Sequence, residues 1–334
     1  MKILSGIAAV LTVISICILS ALAQQSRDKI EIVAPKDYKQ PNLVESAKLQ
    51  SILSSSVDEV LAAFPNKAFD AKDIAATLID LRDPNVWQTA SVRGNERIYP
   101  ASVVKMFYMT ALERQLEDGK VTMTPELDRG LKDMIVVSSN EATQYILDVL
   151  TDTSSGAELP QKEFDKWQYK RNRVNRFFTS MGYSNINVNQ KTFCEDAYGI
   201  EQQSRHYKGE NRNMLTTNAV ARLLAEIVEG RMNTPERTKT MMDLMKRDPF
   251  KETTDPDDQG HGFTGKLFVD RKMTDAKLWS KAGWTNTARH DTAYIETADG
   301  LKFVIVIFTE HHANDKDVIP GVVGKVIDGL RSEK

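Results

Sequence analysis

The sequence contains few cysteines and histidines, and neither sign of charge dominates it. Its 334 residues include 2 cysteines and 5 histidines, with 44 lysines and arginines against 46 aspartates and glutamates. Two cysteines cannot form a disulfide framework or a cysteine-rich zinc site. The balanced charge gives no general electrostatic basis for binding nucleic acid. No internal repeat or linker rich in Pro, Gly or Ser divides the sequence, which has the composition of a globular protein.

Charged residues are almost absent from the start of the sequence. Lys2 is the only one before residue 27, and residues 3–23 are apolar or small and end in Ala21-Leu22-Ala23. This pattern is typical of a secretory signal, so we predict residues 1–23 to be a signal peptide that is cleaved before Gln24. An uncleaved membrane anchor is the alternative, because 21 uncharged residues are long enough to span a bilayer. After cleavage, no stable membrane insertion is expected.

Removal of the signal peptide would also remove Cys17 and leave Cys194 as the one remaining cysteine. A single cysteine cannot close an internal disulfide. Its neighbours Phe193, Glu195 and Asp196 do not provide the cationic setting that lowers the pKa of a thiol. We therefore expect Cys194 to be a packed or incidental thiol.

Strand patterns occur near both ends of the remaining sequence, and helical patterns occur between them. Residues 24–41 are polar and are predicted to be a lead-in segment. The apolar periodicity then predicts helices and strands. The predicted helices are 42–64, 102–116, 125–150, 161–182, 217–229 and 322–331. The predicted strands are 74–81, 87–92, 278–284, 292–297 and 302–309.

This order of elements predicts a single domain of mixed α and β structure over residues 42–334. We expect a five-stranded antiparallel sheet flanked by the terminal helices. The sheet lobe would comprise residues 42–100 and 265–334. Residues 101–264 would form an all-helical lobe inserted into it.

The turn residues Asp83-Pro84-Asn85 between strands 74–81 and 87–92 predict a hairpin. A Ser-x-x-Lys motif, Ser102 to Lys105, opens the first helix after it. Residues three apart share one face of a helix, so Lys105 can approach the Ser102 hydroxyl. Pro100 favours the start of a helix, where the first backbone amides have no partner within the helix. The Ser102 amide is then available to stabilise an oxyanion. Lys105 can act as a base only if burial or a nearby cation lowers its pKa.

Two further motifs follow in the sequence. Ser138 and Asn140 form a Ser-x-Asn motif that is able to relay a proton and to offer an amide to a substrate. Lys281-Ala282-Gly283-Trp284 ends an apolar strand pattern. There, Lys281 would bring positive charge, Gly283 would let a substrate approach the strand, and the Trp284 amide would be a second oxyanion donor.

The order of the three motifs resembles the active-site serine penicillin-recognising enzymes, in particular the class A β-lactamase-like serine hydrolases. The resemblance extends over roughly residues 42–330. It is carried by four stretches: Tyr99-Pro-Ala-Ser-Val-Val-Lys105, Met134-Ile-Val-Val-Ser-Ser-Asn-Glu-Ala-Thr143, Leu215-Thr-Thr-Asn-Ala-Val-Ala-Arg-Leu-Leu224 and Arg289-His-Asp-Thr-Ala-Tyr294.

The resemblance implies a β-lactamase/transpeptidase-like fold and a role for each motif residue. Ser102 would be the acylated nucleophile, Lys105 its general base and Ser138 a proton shuttle. Asn140 and Lys281 would bind substrate. The expected partner is a small-molecule or peptide-like acyl substrate. Neither a metal nor a cofactor is needed, and we expect a monomer in the periplasm or secreted from the cell.

The sequence departs from the family in the substrate-binding and deacylating residues. Ala282 stands where the family usually has a hydroxyl that helps to hold the substrate carboxylate, and Arg289 is a candidate to replace that function. The Glu-x-x-x-Asn pattern that supplies the deacylating base in class A enzymes is absent. Glu201 falls at about the right distance, and Glu195 and Asp196 are the other candidates.

The sequence therefore predicts an exported serine hydrolase that forms an acyl-enzyme at Ser102 and hydrolyses a β-lactam or a related cyclic amide. The alternatives are a D-Ala-D-Ala peptidase, a penicillin-binding-like protein or an esterase on the same fold. A non-hydrolytic binding or sensor protein is the alternative from another functional class.

Overall fold

The structure is a computed structural model that describes residues 29–64 and 69–332. The predicted signal peptide, residues 1–23, lies outside these ranges. Of the helices within the two ranges, none combines the length and the apolar character needed to cross a membrane.

A sheet built from strands near both ends of the described chain forms the centre of the fold. Its strands are β1 (Leu43–Glu45), β2 (Ile74–Asp80), β3 (Trp87–Val92), β4 (Lys246–Arg247), β5 (Lys277–Trp284), β6 (Ala288–Glu296) and β7 (Lys302–Glu310). Their spatial order is β1-β3-β2-β7-β6-β5-β4. β2 pairs with β7, so the first long strand lies beside the last one.

The predicted number of strands and the prediction of a purely antiparallel sheet are both wrong. Within the described ranges the sheet has seven strands rather than five, and β1 runs parallel to β3. β1 and β4 have three and two residues, too few to show an alternating pattern. The sequence pattern also merges β1 with the following helix, because Asn42 resembles a helix cap. In the structure Ser46 is the cap, and its Oγ accepts a hydrogen bond from the Leu49 amide at 3.4 Å.

Helices cover both faces of the sheet. Those in the described ranges are α1 (Ala47–Ala62), α2 (Val104–Glu117), α3 (Pro125–Val136), α4 (Asn140–Thr151), α5 (Gln161–Arg171), α6 (Arg173–Ser180), α7 (Ile200–Arg205), α8 (Thr217–Val228), α9 (Pro235–Met245), α10 (Thr264–Asp270) and α11 (Val318–Arg331). Apart from β1 and β4, the order is as predicted: a helix, a hairpin, a helical middle between β3 and β5, three strands and a helix. The prediction that residues 101–264 are all-helical is wrong, because β4 lies within them.

Alternation along the strands gives the sheet two buried faces, since successive side chains point to opposite sides. Ala75 and Ile79 of β2 pack with residues of α2, α3, α4, α6 and α8. Ile74, Ala76 and Leu78 of the same strand pack with residues of α1 and α11. The sheet is therefore the middle of three layers. β5 lies near one edge of the sheet, beside β4.

Candidate active site

Ser102 lies at the junction between the sheet and the helical middle. A single 3₁₀ turn, Ala101–Val103, leads from Pro100 into α2. Ala101 has a φ of +46°, a left-handed conformation that costs a residue other than glycine about 1–3 kcal/mol. Ser102 lines a cleft of ≈ 1070 Å³. The strained turn thus places the predicted nucleophile beside a space large enough for a small ligand.

The helical range 125–150 is broken at the second motif. α3 ends at Val136 and α4 begins at Asn140. Between them Ser138 has a φ of +61°, and the Ser139 hydroxyl caps α4 by accepting a hydrogen bond from the Ala142 amide at 3.1 Å. Ser138 and Asn140 both line the cleft, an arrangement that a continuous helix would not allow for residues two apart.

Lys105 is buried and connects the first motif to the second. Its Nζ donates hydrogen bonds to the Ser138 carbonyl oxygen at 2.5 Å and to Asn140 Oδ1 at 2.8 Å, and it lies 3.3 Å from Ser138 Oγ. Burial lowers the pKa of Lys105 to about 7, against the opposing influence of Glu141 and Cys194. A lysine with this pKa is partly neutral at pH 7, which is the state that a general base requires.

Lys281 brings the third motif to the same place. Its Nζ donates to Ser138 Oγ at 2.9 Å, to Gln259 Oε1 at 2.7 Å and to the Ala282 carbonyl oxygen at 2.8 Å. Burial, together with the positive charges of Lys105 and Arg247, lowers the pKa of Lys281 well below its ordinary value. Ser138 Oγ thus lies between two amines. When both donate to it, the hydroxyl proton of Ser138 remains available to a group in the cleft.

Gly283 allows β5 to approach the backbone of Ser102. A Cβ atom on Gly283 would lie 2.6 Å from the Pro100 carbonyl oxygen and 3.1 Å from the Ser102 amide nitrogen. The following residue, Trp284, lines the cleft together with Ser102, and 54% of its surface is exposed. The main chain of β5 is therefore close to any group bound to Ser102 Oγ.

The expected hydrogen bond between Lys105 and the Ser102 hydroxyl is absent. Among the residues that the structure describes, Ser102 Oγ has no hydrogen-bond partner, and Lys105 Nζ bonds to Ser138 and Asn140 instead. In enzymes without substrate, catalytic hydrogen bonds are often long and form only in the complex. Ser102 Oγ is thus free to engage a ligand in the cleft.

Glu201, the predicted deacylating base, lies in a buried ion cluster. Arg171 holds both of its carboxylate oxygens, at 2.7 and 2.8 Å, Lys191 lies 3.2 Å away, and Ser155 Oγ donates at 2.9 Å. Burial raises the pKa of Glu201, but Arg171 and Lys191 outweigh that effect and hold the pKa below its ordinary value. No contact in the described ranges joins Glu201 to Ser102 or Lys105.

Arg289, the predicted carboxylate ligand, is also engaged elsewhere. It is 2% exposed and donates to the Gly262 carbonyl oxygen, to Asp257 Oδ1 at 3.3 Å and to the Ala313 carbonyl oxygen at 3.4 Å. Its guanidinium group lies 4.1 Å from the centre of the Phe263 ring. The contacts of Arg289 thus fix the loop before α10.

Two residues that no motif predicts lie at the site. Gln259 lines the cleft and contacts both Lys281 and Ala282. Cys194 is exposed rather than packed, and its Sγ accepts a hydrogen bond from Asn140 Nδ2 at 3.4 Å. Neither lies within a recognisable sequence pattern, so only the packing of distant segments reveals them. Within residues 29–64 and 69–332, no group of three His, Cys, Asp or Glu residues is arranged to hold a metal ion.

Comparison with protein families relates the chain to enzymes that act on β-lactams. A sequence model of the beta-lactamase enzyme family matches residues 124–326, which is more than half of the chain. This range contains the second and third motifs, and the first motif precedes it. A comparison with curated protein sequences finds no match.

Three solved structures that share the fold are distant in sequence. A beta-lactamase from Sphaerobacter thermophilus is 18% identical, with a TM-score of 0.57 over 83% of this chain and 98% of that one. A class A beta-lactamase from Bacteroides cellulosilyticus is 16% identical, with a TM-score of 0.59 over 86% and 100%. PBP-A, as an L158E mutant in an acyl-enzyme complex with penicillin G, is 18% identical, with a TM-score of 0.58 over 87% and 99%.

Proposed function

Because the chain belongs to the beta-lactamase enzyme family, we propose that it is a serine hydrolase that forms an acyl-enzyme at Ser102. One observation carries the proposal. Lys105, Ser138, Asn140 and Lys281 form a single hydrogen-bonded cluster beside the cleft that Ser102 lines. The proposed substrate is a β-lactam or a related cyclic amide. The signal-like residues 1–23 support a site of action outside the cytoplasm.

The proposed reaction begins when Ser102 Oγ attacks the amide carbonyl carbon. The neutral amine of Lys105 takes the hydroxyl proton, and the main-chain amides of Ser102 and Trp284 stabilise the oxyanion. Ser138 then gives its proton to the leaving nitrogen as the carbon–nitrogen bond breaks, and it recovers a proton from one of the two lysines. Water finally releases the acid from Ser102.

The rim of the cleft favours an apolar acyl group. Val136 is 46% exposed, Val137 is 70% exposed and Trp284 is 54% exposed, and all three line the cleft. A bound apolar group would cover these side chains and remove their surface from water. The penicillin G held as an acyl-enzyme by the related PBP-A mutant carries such a group.

The surroundings of Glu201 favour a second candidate, a peptidase-like or penicillin-binding-like protein with a long-lived acyl-enzyme. Arg171 and Lys191 occupy the carboxylate of Glu201. At the site itself, the thiol of Cys194 contacts Asn140, and the nearby carboxylate of Glu141 is 3.2 Å from Ser139 Oγ. Neither arrangement supplies an evident base for the water of deacylation.

Intact-mass measurement after addition of penicillin G and, separately, of a neutral fluorophosphonate tests the proposal. Both reagents are expected to add to Ser102, and Ser102→Ala is expected to abolish both adducts. Ser180→Ala, at the end of α6, is the control and is expected to react like the unchanged protein. A penicillin adduct that decays within seconds supports the β-lactamase-like activity, and a penicillin adduct that persists for hours supports the second candidate. Equal adducts on Ser102→Ala would refute the mechanism.

Gly283→Ala is expected to slow acylation by at least tenfold, because the added methyl group pushes β5 away from Ser102. The 2.6 Å contact with the Pro100 carbonyl oxygen requires a backbone shift, and such overpacking costs about 1–3 kcal/mol. Displacements near 1 Å at a reacting centre cost about 10²-fold in rate. Gly156→Ala is the matched control, since its Cβ meets no atom within 4 Å. Equal acylation rates for the two variants would contradict the proposed role of β5.

A further inference from the structure

The carboxamide of Gln259 bridges β5 and the end of α3 through hydrogen bonds. Its Oε1 accepts hydrogen bonds from Lys281 Nζ at 2.7 Å and from the Ala282 amide at 3.1 Å. Its Nε2 donates to the carbonyl oxygens of Ile135 at 2.9 Å and Val136 at 2.8 Å, at the end of α3. These four contacts satisfy the full hydrogen-bonding capacity of the carboxamide.

Gln259 Oε1 engages two donors that a negatively charged group of a substrate would need at this part of the cleft. Lys281 Nζ and the Ala282 amide are the polar donors that β5 offers at this part of the cleft. A carboxamide has the planar shape of a carboxylate but no charge. A substrate carboxylate that bound to Lys281 would have to displace Gln259 and break its contacts.

Three residues on or beside β5 that are candidates to bind a carboxylate are poorly suited to do so. Ala282 has no hydroxyl group to donate. Arg289 donates to the Gly262 carbonyl oxygen and to Asp257. Arg247 Nη2 donates to the main-chain carbonyl oxygens of Ile135 at 3.2 Å and Ser280 at 2.9 Å, and Arg247 Nη1 donates to that of Leu244 at 3.3 Å. Burial also lowers the pKa of Lys281, which reduces the positive charge offered to an anion.

The loop that carries Gln259 is held in place by its neighbour Asp258. Asp258 Oδ1 accepts hydrogen bonds from the amides of Gly260 at 2.7 Å and His261 at 3.0 Å. Thr253 Oγ1 donates to Asp258 Oδ2 at 2.8 Å. Hydrogen bonds made by the residues before and after Gln259 therefore hold its backbone in place.

We infer that Gln259 determines specificity by occupying the anion-binding position of the cleft, so that Ser102 reacts preferentially with neutral acyl substrates that have no carboxylate beside the scissile bond. The inference rests on the proposed acylation of Ser102 and narrows its substrates to uncharged esters and amides.

Penicillin G and its methyl ester test the inference, because they differ in the carboxylate alone. The rate constant for acylation of Ser102 is measured for each by intact mass, and the acid-to-ester ratio is compared between variants. The unchanged protein is expected to favour the ester. Gln259→Ala is expected to raise the acid-to-ester ratio at least tenfold. Gln259→Glu, which keeps the shape and adds a negative charge, is expected to lower it.

The controls separate specificity from folding and from the proposed function. Gln203→Ala removes a carboxamide that likewise bonds to main-chain groups, the amide and the carbonyl oxygen of Leu159, and it is expected to leave the ratio unchanged. Equal ratios in all variants, or the same change in Gln259→Ala and Gln259→Glu, would overturn the inference. So would a lack of reaction with both penicillins in a protein that the fluorophosphonate labels at Ser102. If the fluorophosphonate does not label Ser102 either, the proposed function itself fails.

Discussion

Replacement of Lys105 by methionine is expected to slow acylation of Ser102 by about 10²–10⁴-fold, since a positioned general base contributes that much. Methionine fills a similar space but cannot take a proton. Burial lowers the pKa of Lys105 to about 7, so the unchanged protein carries the reactive neutral amine near physiological pH. Stopped-flow acylation with penicillin G methyl ester gives the rate constant.

The pH profile identifies the role of Lys105 more directly than the loss of rate. The base acts only when it is unprotonated, so the acylation rate is expected to rise with pH, reach half its maximum near pH 7 and fall about tenfold for each pH unit below. Lys105→Arg keeps the positive charge but cannot lose its proton in this range, so its rate should be low and independent of pH. Lys132→Met, on the exposed face of α3, should keep the normal profile. A profile of the unchanged protein with no inflection between pH 6 and 8 would argue against Lys105 as the base.

Replacement of Glu201 by glutamine is expected to lower the free energy of unfolding by about 3–5 kcal/mol, because breaking a buried ion pair leaves an uncompensated charge. Arg171 is fully buried, and its two Nη atoms bond to the carboxylate of Glu201. The pKa of Glu201 is held below its ordinary value, so its stabilising effect is present at neutral pH and is lost as the pH falls through the lowered pKa. Urea unfolding at pH 7 and at pH 4 measures both effects.

The same Glu201 variant decides whether this residue takes part in deacylation. If its role is structural, the lifetime of the acyl-enzyme in folded Glu201→Gln equals that in the unchanged protein. Glu195→Gln, an exposed residue of the same segment, is the control for stability and should unfold at the normal urea concentration. A much longer lifetime in Glu201→Gln with no loss of stability would instead restore the role of Glu201 as the base.

The long strands could be predicted because their patterns are local. β2 and β3 are separated by the turn residues Asp83-Pro84-Asn85, and the hairpin predicted from them is confirmed. The pairing of β5, β6 and β7 likewise follows from three alternating or apolar stretches. The short strands β1 and β4 escape prediction because they exist only through pairing with distant partners, and two or three residues carry no periodicity.

The same distinction applies to the site. The spacing from Ser102 to Lys105 is a property of one helix. That Ser138 and Lys281 belong to the same site is implied by the family resemblance alone. The role of Gln259 depends instead on where a polar loop lies between α3 and β5, which no local pattern determines. The contact of Cys194 with Asn140 also joins two distant segments.

The pairing of β2 with β7 has a consequence for the order in which the protein folds. More than 200 residues separate these two strands, yet they are neighbours in the centre of the sheet. Until β7 pairs with it, β2 leaves one edge of its hairpin with β3 open. Contacts so distant in sequence make folding slow, and an unpaired apolar strand edge invites aggregation. We therefore expect an incompletely folded chain to be prone to aggregation until β7 pairs with β2.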